Sequence, residues 1–300
     1  MNFVLIALCL LAGLVLRSSG ILPENAHRGI NGWILYIAMP AVALVYIPSI
    51  HWSRALILPA AMPLLVWIGA WLALKVSAKR LAPDAGRFAA LLLTAGLGNT
   101  SFVGFPLTQA YFGDEGLRIA VICDQVSFIT LSTLGVMTAL NAVHGAGLGK
   151  KVIARSIVRF PPFFAFAAAL ILPRFVNLAP LDPLLNKLAG TLVPLALFSV
   201  GLQIRFSEWK GELPCLSFGL AYKLLIAPAL VLCVAVLFRI RGIVAQASVF
   251  EAAMAPMVTS AILASEYRLN PRLATLMVSI GILFSVATTA LWFFVLRAIL

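Results

Sequence analysis

Charge is what this chain has least of. Asp, Glu, Lys and Arg make up 11% of its 300 residues, only ten of them acidic, where a soluble domain carries about 25%. Histidine occurs three times, at His27, His51 and His144, each in a stretch between apolar runs and far from the others in sequence. These read as solvated side chains and offer no catalytic constellation. The four cysteines (Cys9, Cys123, Cys215 and Cys233) lie in or beside apolar runs, without metal-ligand spacing or a disulfide framework, and read as packing residues. No polar stretch is long enough for a soluble domain; the longest runs from Asn141 to Arg155. Within it Gly145-Ala146-Gly147-Leu148-Gly149-Lys150 lacks the preceding strand and the spacing of a phosphate loop, so it reads as a flexible linker.

What is abundant is apolar sequence. Hydrophobic residues make up 62% of the chain, in ten segments at about 2–17, 28–48, 55–76, 87–111, 116–140, 155–173, 184–204, 213–238, 242–265 and 272–297, most near the roughly 20 residues that a membrane span needs. The expectation is an all-α polytopic membrane protein with ten transmembrane helices. Its first run, Phe3 to Leu16, has no positive residue before it and Arg17 after it, the wrong polarity for a cleaved signal peptide.

The net charge of +12 falls in short loops, where it signals topology rather than nucleic-acid binding. Fourteen Lys and Arg lie in the odd-numbered loops, seven in the even loops and C-terminal end, and Lys223 lies inside a span. The odd loops are therefore expected in the cytoplasm and both termini outside.

An internal repeat runs across this layout. Met39-Pro40-Ala41-Val42-Ala43-Leu44 echoes Val193-Pro194-Leu195-Ala196-Leu197-Phe198, and Leu58-Pro59 echoes Leu213-Pro214, offset by 154 to 155 residues. Five spans per half force opposite insertion, a 5+5 inverted repeat with its functional site near the midplane. The halves are 1–140 and 155–300, joined by a cytoplasmic loop at 141–154.

Two spans carry material unsuited to a continuous helix. Gly98-Asn99-Thr100-Ser101-Phe102-Val103-Gly104-Phe105-Pro106-Leu107 interrupts the fourth, and Glu251-Ala252-Ala253-Met254-Ala255-Pro256-Met257-Val258-Thr259-Ser260 sets proline and small polar residues in the middle of the ninth. Either alone reads equally well as a packed proline kink. Two breaks at matching places point to a transporter binding site. The expected solute ligands are the half-helix amides with Asn99, Thr100, Ser101, Thr259 and Ser260 around Gly104, Pro106 and Pro256, although Ser and Thr in spans often bond only their own backbone.

Three ionisable residues lie near mid-span: Asp124 about 12 Å into the fifth, Glu251 about 14 Å into the ninth and Lys223 about 15 Å into the eighth. Charge there is costly, so each needs a reason. A carboxylate here fits proton coupling, with Lys223 neutralising Glu251 or Asp124. The plainer readings are snorkelling for Lys223 and a neutral buried acid for Glu251.

Asn99…Phe102-Val103-Gly104-Phe105-Pro106-Leu107…Phe112-Gly113 resembles the fourth-span signature of the auxin efflux carrier family of permeases. Ala252-Ala253-Met254-Ala255-Pro256…Ile262-Leu263-Ala264-Ser265-Glu266-Tyr267 is similar to its ninth span, and Pro194…Leu197-Phe198-Ser199-Val200-Gly201 to its seventh. The resemblance, over nearly the whole chain, implies no enzyme but a secondary carrier of a small organic anion in a bacterial inner membrane. Spans four and nine would cross at their prolines in a mobile elevator-type domain of spans three to five and eight to ten. Spans one, two, six and seven would form a scaffold and homodimer interface. The pair Asp124-Gln125 matches bacterial relatives, which places Asp124 near the solute. No cofactor is expected, and H+ is favoured over Na+ as the coupling ion. A sodium-coupled carrier of the bile acid symporter type and a non-transporting ligand sensor are the alternatives. Plant members carry a long hydrophilic central loop, which this chain lacks.

Overall fold

The computed structural model describes residues 2–23, 25–49, 53–81, 84–144, 167–204 and 211–300, and among these the chain is helical with no strand. Helix α1 (Asn2–Ser18) is followed by α2 (Ala26–Trp33), which passes through a π turn at Ile34–Ala38 into α3 (Met39–Tyr46). Next come α4 (Ile57–Leu81) and α5 (Ala85–Gly96), whose N-cap Asp84 accepts from the Arg87 amide at 2.7 Å. A π turn at Thr100–Gly104 leads into α6 (Phe105–Thr130), and a third, at Leu131–Gly135, into α7 (Val136–His144).

In the second half, α8 (Asp182–Gly190) and α9 (Leu192–Gln203) are separated at Thr191, whose hydroxyl accepts from the Trp33 indole at 2.9 Å. The seventh apolar segment thus lies in one helical run, Ala179–Gln203, interrupted only at Thr191. Helix α10 (Leu213–Ala221) runs through a π turn at Tyr222–Ile226 into α11 (Ala227–Leu237). Then follow α12 (Gly242–Ala252), α13 (Val258–Glu266) and α14 (Pro271–Ile299). Helix α14 starts cleanly because Pro271 needs no amide partner at its first turn and the Asn270 side chain caps Leu273 N at 3.1 Å.

Six helical runs among the described residues are long and apolar enough to cross a membrane. Ten were expected, and the other four are accounted for one by one. The first segment forms a short helix, the ninth is split into two short pieces, and most of the sixth lies outside the described residues, as do the 145–154 part of the central loop and His51. The 44-residue run Thr100–Val143 holds the end of the fourth segment and the fifth. At about 1.5 Å per residue it would reach twice the thickness of a ~30 Å hydrocarbon core. It turns back at Gly113, whose φ of 66° and ψ of −161° suit a residue without a Cβ.

The helices sort into two packed groups. Helices α1, α2, α3, α8 and α9 pack on one another; α4 to α7 pack with α10 to α14. The groups meet chiefly where α1, α3 and α9 touch α6 and where α9 touches the π turn at Thr100–Gly104. Helix α1 shows how composition serves this layout. Val4, Leu8, Leu11 and Val15, at helical spacing, are exposed as a membrane-facing stripe would be, while Ile6 and Cys9 are buried. Three of the cysteines are buried as expected; Cys233 is exposed.

Candidate functional site: two helix breaks paired with each other

The two interrupted segments cross. Helix α5 ends at Gly96, Leu97 is extended, and Gly98 forms an isolated antiparallel bridge with Pro256. The Asn99 amide donates to Ala255 O at 2.8 Å and the Met257 amide to Leu97 O at 3.0 Å. A broken helix in hydrocarbon exposes amides and carbonyls that must be re-satisfied; here each break supplies the other's partners. Part of the backbone expected to hold a solute is therefore already bonded.

Pro256 lies in its break, but Pro106 does not. The first break is at Leu97–Asn99, and Pro106 lies seven residues after the capping Asn99, past the π turn at Thr100–Gly104 and inside the returning helical run. The crossing thus pairs Gly98, not Pro106, with Pro256.

Behind the crossing lies a buried polar cluster. Asp124 accepts from the Thr100 hydroxyl at 2.7 Å, with the Ser101 hydroxyl beside the same carboxyl. Glu251 accepts from Thr108 at 2.6 Å. Gly104 and Thr108, four residues apart on one helical face, both meet that carboxyl, and a Cβ at Gly104 would overlap Glu251 Oε2. Gly104→Ala is therefore expected to lower stability by about 1–3 kcal/mol, as overpacking does, read as a drop in the thermal midpoint of the purified protein. An unchanged midpoint would mean that Glu251 is free to move aside.

Lys223 is fully buried and does not snorkel. The π turn at Tyr222–Ile226 carries it, with Leu224 O accepting from the Trp292 indole at 2.9 Å. Its ammonium donates to Ala252 O at 2.6 Å, the last residue of α12, where a cation suits the negative end of the helix dipole. A Cβ on Gly98 would lie 3.1 Å from Lys223 Nζ. Lys223 is close enough to Glu251 for their charges to interact, but the one ion pair among the described residues joins Arg87 to Glu212 at 3.2 Å, elsewhere. The space beside Gly98, Thr100, Lys223 and Glu251 has no room for a water.

Among the other expected ligands, Ser260 bonds its own backbone at Met257 O (2.7 Å), Thr259 is half-buried and Gln125 is buried. Asn99 is different. Its Oδ1 accepts from Phe102 N at 3.1 Å, capping the π turn, while its buried Nδ2 has no acceptor among the described residues. An amide can make several hydrogen bonds, so this one keeps N–H donors that no described residue satisfies.

Two cavities flank this core. One, of about 250 Å³, lies against Pro106 and Gln109 of α6, with Tyr46, Asn186 and Val193 across from them. The other, of about 500 Å³, lies against Val258, Ala261 and Ser265 of α13, with Arg17, His27 and Gln203 across from them. The same elements carry both: α1 lines the first at Leu5 and the second at Arg17, the α2–α3 run at Tyr46 and His27, and α9 at Leu192 and Gln203. Twelve residues of helix separate Leu5 from Arg17, about 18 Å at 1.5 Å per residue, so the cavities lie towards opposite ends of the molecule. Sequence reasoning missed Thr108, Tyr46, Gln109 and Asn186, and it took His27 for a solvated loop residue. His27 lies in the first turn of α2, half-buried. Only Thr108 carried a signal, its i+4 spacing from Gly104.

A paired double break in a bundle of apolar helices, between two cavities, is the geometry of a membrane carrier, and sequence comparison agrees. The membrane transport protein family matches residues 1–293. The chain belongs to this family, that of the auxin efflux carrier permeases. An uncharacterized transporter of Methanothermobacter thermautotrophicus is 27% identical over 296 residues, covering 95% of this chain and 94% of the relative. The uncharacterized transporter MJ1031 of Methanocaldococcus jannaschii is 27% identical over 311 residues (99% and 98%). The uncharacterized transporter YfdV of Escherichia coli K12 is 27% identical over 293 residues (92% and 90%). The family consists of transporters rather than enzymes, and this member is a multi-pass membrane protein.

Proposed function

We propose that this permease is a secondary carrier of a small organic anion, such as a carboxylate or an auxin-like acid, working by alternating access around the crossed breaks. The observation that carries the reading is the pairing of Leu97–Asn99 with Ala255–Met257 between cavities at opposite ends of the same three elements. Each cavity is lined by the returning half of one broken span, and Pro106 and Ala261, which line them, stand 155 residues apart. That spacing is the offset of the sequence repeat and supports ten spans in a 5+5 inverted arrangement. The division into two packed groups supports an elevator in which α4–α7 and α10–α14 move against α1–α3, α8 and α9. The latter group would also form the homodimer interface.

The Asn99 amide, with donors to spare, is the proposed anchor for the solute's carboxylate, and Gln125, Thr259 and Ser260 lie within the same pair of spans or beside it. Asp124 is the proposed coupling group. Its carboxyl accepts from Thr100, the residue after Asn99, so taking up a proton there would loosen the turn that presents the anchor. Lys223 places a side-chain cation at the crossing, which favours H+ over Na+. The proposed location is a bacterial inner membrane, as the resemblance to bacterial members suggests, and the distribution of basic loops supports both termini outside.

Counterflow of labelled carboxylates in proteoliposomes tests the reading. Trans-stimulated uptake of at least one acid is expected, and its absence for malonate, malate and indole-3-acetate alike would favour a ligand sensor. Replacing sodium by choline at constant pH should leave uptake intact; collapse would favour the sodium-coupled alternative. Asp124→Asn should abolish acceleration of uptake by a pH gradient while leaving ligand binding in place, and unchanged acceleration would clear Asp124 of the coupling role.

A further inference from the structure

The two cavities are unequal in charge. Among the described residues, the one beside Pro106 has no ionisable lining residue other than Tyr46, and the nearest acid, Asp114, accepts from its lining residues Tyr46 and Gln109. The one beside Ala261 is lined by Arg17, His27 and Arg28, with Glu266 as its acidic group. Arg17 is held in place: it is half-buried at the end of α1, and its Nη1 donates to Leu202 O at 2.6 Å, near the end of α9. Arg28 is exposed on the first turn of α2. A guanidinium held by a backbone carbonyl, with a second, exposed one lining the same cavity, suits a carboxylate, which takes paired N–H donors, and low-dielectric walls focus the field of a mainly basic cleft on an incoming anion.

We propose that the Arg17–His27–Arg28 cavity is a capture site for a carboxylate-bearing solute, occupied before the solute reaches the crossing, and that the uncharged cavity serves release. This rests on the carrier reading for its direction of passage, not for the binding itself. Affinity is then higher on the side of the basic cavity and falls with added salt. A membrane phosphate headgroup shares the chemistry, so the two sources need separate arms.

The test titrates malonate, malate and indole-3-acetate by calorimetry into the full-length protein in phosphatidylcholine nanodiscs, and repeats this with phosphatidylglycerol alone as the added anion. The variants are Arg28→Gln, Arg28→Glu and, at an exposed arginine that lines neither cavity, Arg174→Gln. At least one acid should bind saturably to the unaltered protein. Arg28→Glu should weaken that binding by about tenfold or more, Arg28→Gln by less and Arg174→Gln not at all. Raising salt from about 20 to about 300 mM should weaken the unaltered protein far more than Arg28→Glu. No saturable binding of any acid, equal binding by Arg28→Glu, or binding of phosphatidylglycerol in place of the acids would overturn the proposal. Counterflow with the same acid separates the two ideas. Transport that persists with acid binding insensitive to Arg28 removes the capture site and leaves the carrier. Binding that depends on Arg28 without counterflow removes the carrier and leaves the site.

Discussion

Asn99→Ala should abolish transport, by at least about 100-fold if the amide positions the solute for passage. The side chain has two tasks, and the variants separate them. Its Oδ1 caps the π turn through Phe102 N, and its Nδ2 has no acceptor among the described residues. Alanine removes both, and loss of the cap alone should cost about 1 kcal/mol. Asn99→Asp keeps the capping oxygen and replaces the donors by an acceptor. It should therefore leave the turn intact, fail to bind a carboxylate and fail to transport. Thermal midpoints and proteoliposome uptake, measured together on both variants, distinguish a folding defect from a recognition defect. Normal uptake by Asn99→Asp would remove Asn99 from the site.

The largest effect on stability is expected at Lys223. Lys223→Met takes an ammonium from Ala252 O, at the end of α12 and next to the break. Removing a charged donor from a buried carbonyl costs about 3 kcal/mol, a large share of a typical stability. Lys223→Met with Glu251→Gln tests whether the two side chains act together: a loss that Glu251→Gln partly restores would show coupling, and an additive loss would show that the carbonyl contact alone matters. Transport should not recover, since the end of α12 would still lack its donor. Thermal or denaturant midpoints of the single and double variants measure the coupling. A single variant as stable as the unaltered protein would show that Lys223 holds nothing in place.

The features legible in sequence were those that composition and local chemistry dictate. Low charge and long apolar runs gave the helical membrane fold, and glycine, proline and small polar residues marked both interrupted segments. The break was displaced from Pro106 because the incoming helix already stops at Gly96 and the returning one starts at the Asn99 cap; the proline follows a π turn in which the backbone bonding is already irregular. The mutual bonding of Leu97–Asn99 with Ala255–Met257 was beyond reach, since backbone partners from opposite halves leave no trace in side-chain pattern. Ser260, on its own backbone, shows why a hydroxyl in a span says little about ligands. Asp124, Glu251 and Lys223 stood out as rare charges, yet their partners proved to be Thr100, Thr108 and a carbonyl rather than one another. The cavities were invisible for a simpler reason: each is assembled from the ends of several elements.

Alternating exposure of the two cavities is tested most directly by cysteine labelling. Gln109 lines one cavity and Ser265 the other, and each is replaced by Cys in a background whose exposed Cys233, with the buried Cys9, Cys123 and Cys215, has been changed to Ser or Ala. Membrane-impermeant maleimide is applied with and without a saturating transported acid. The expected result is reciprocal: labelling rises at one position as it falls at the other. Labelling at both positions that rises together, or ignores the acid, would contradict a solute carried around the crossed breaks.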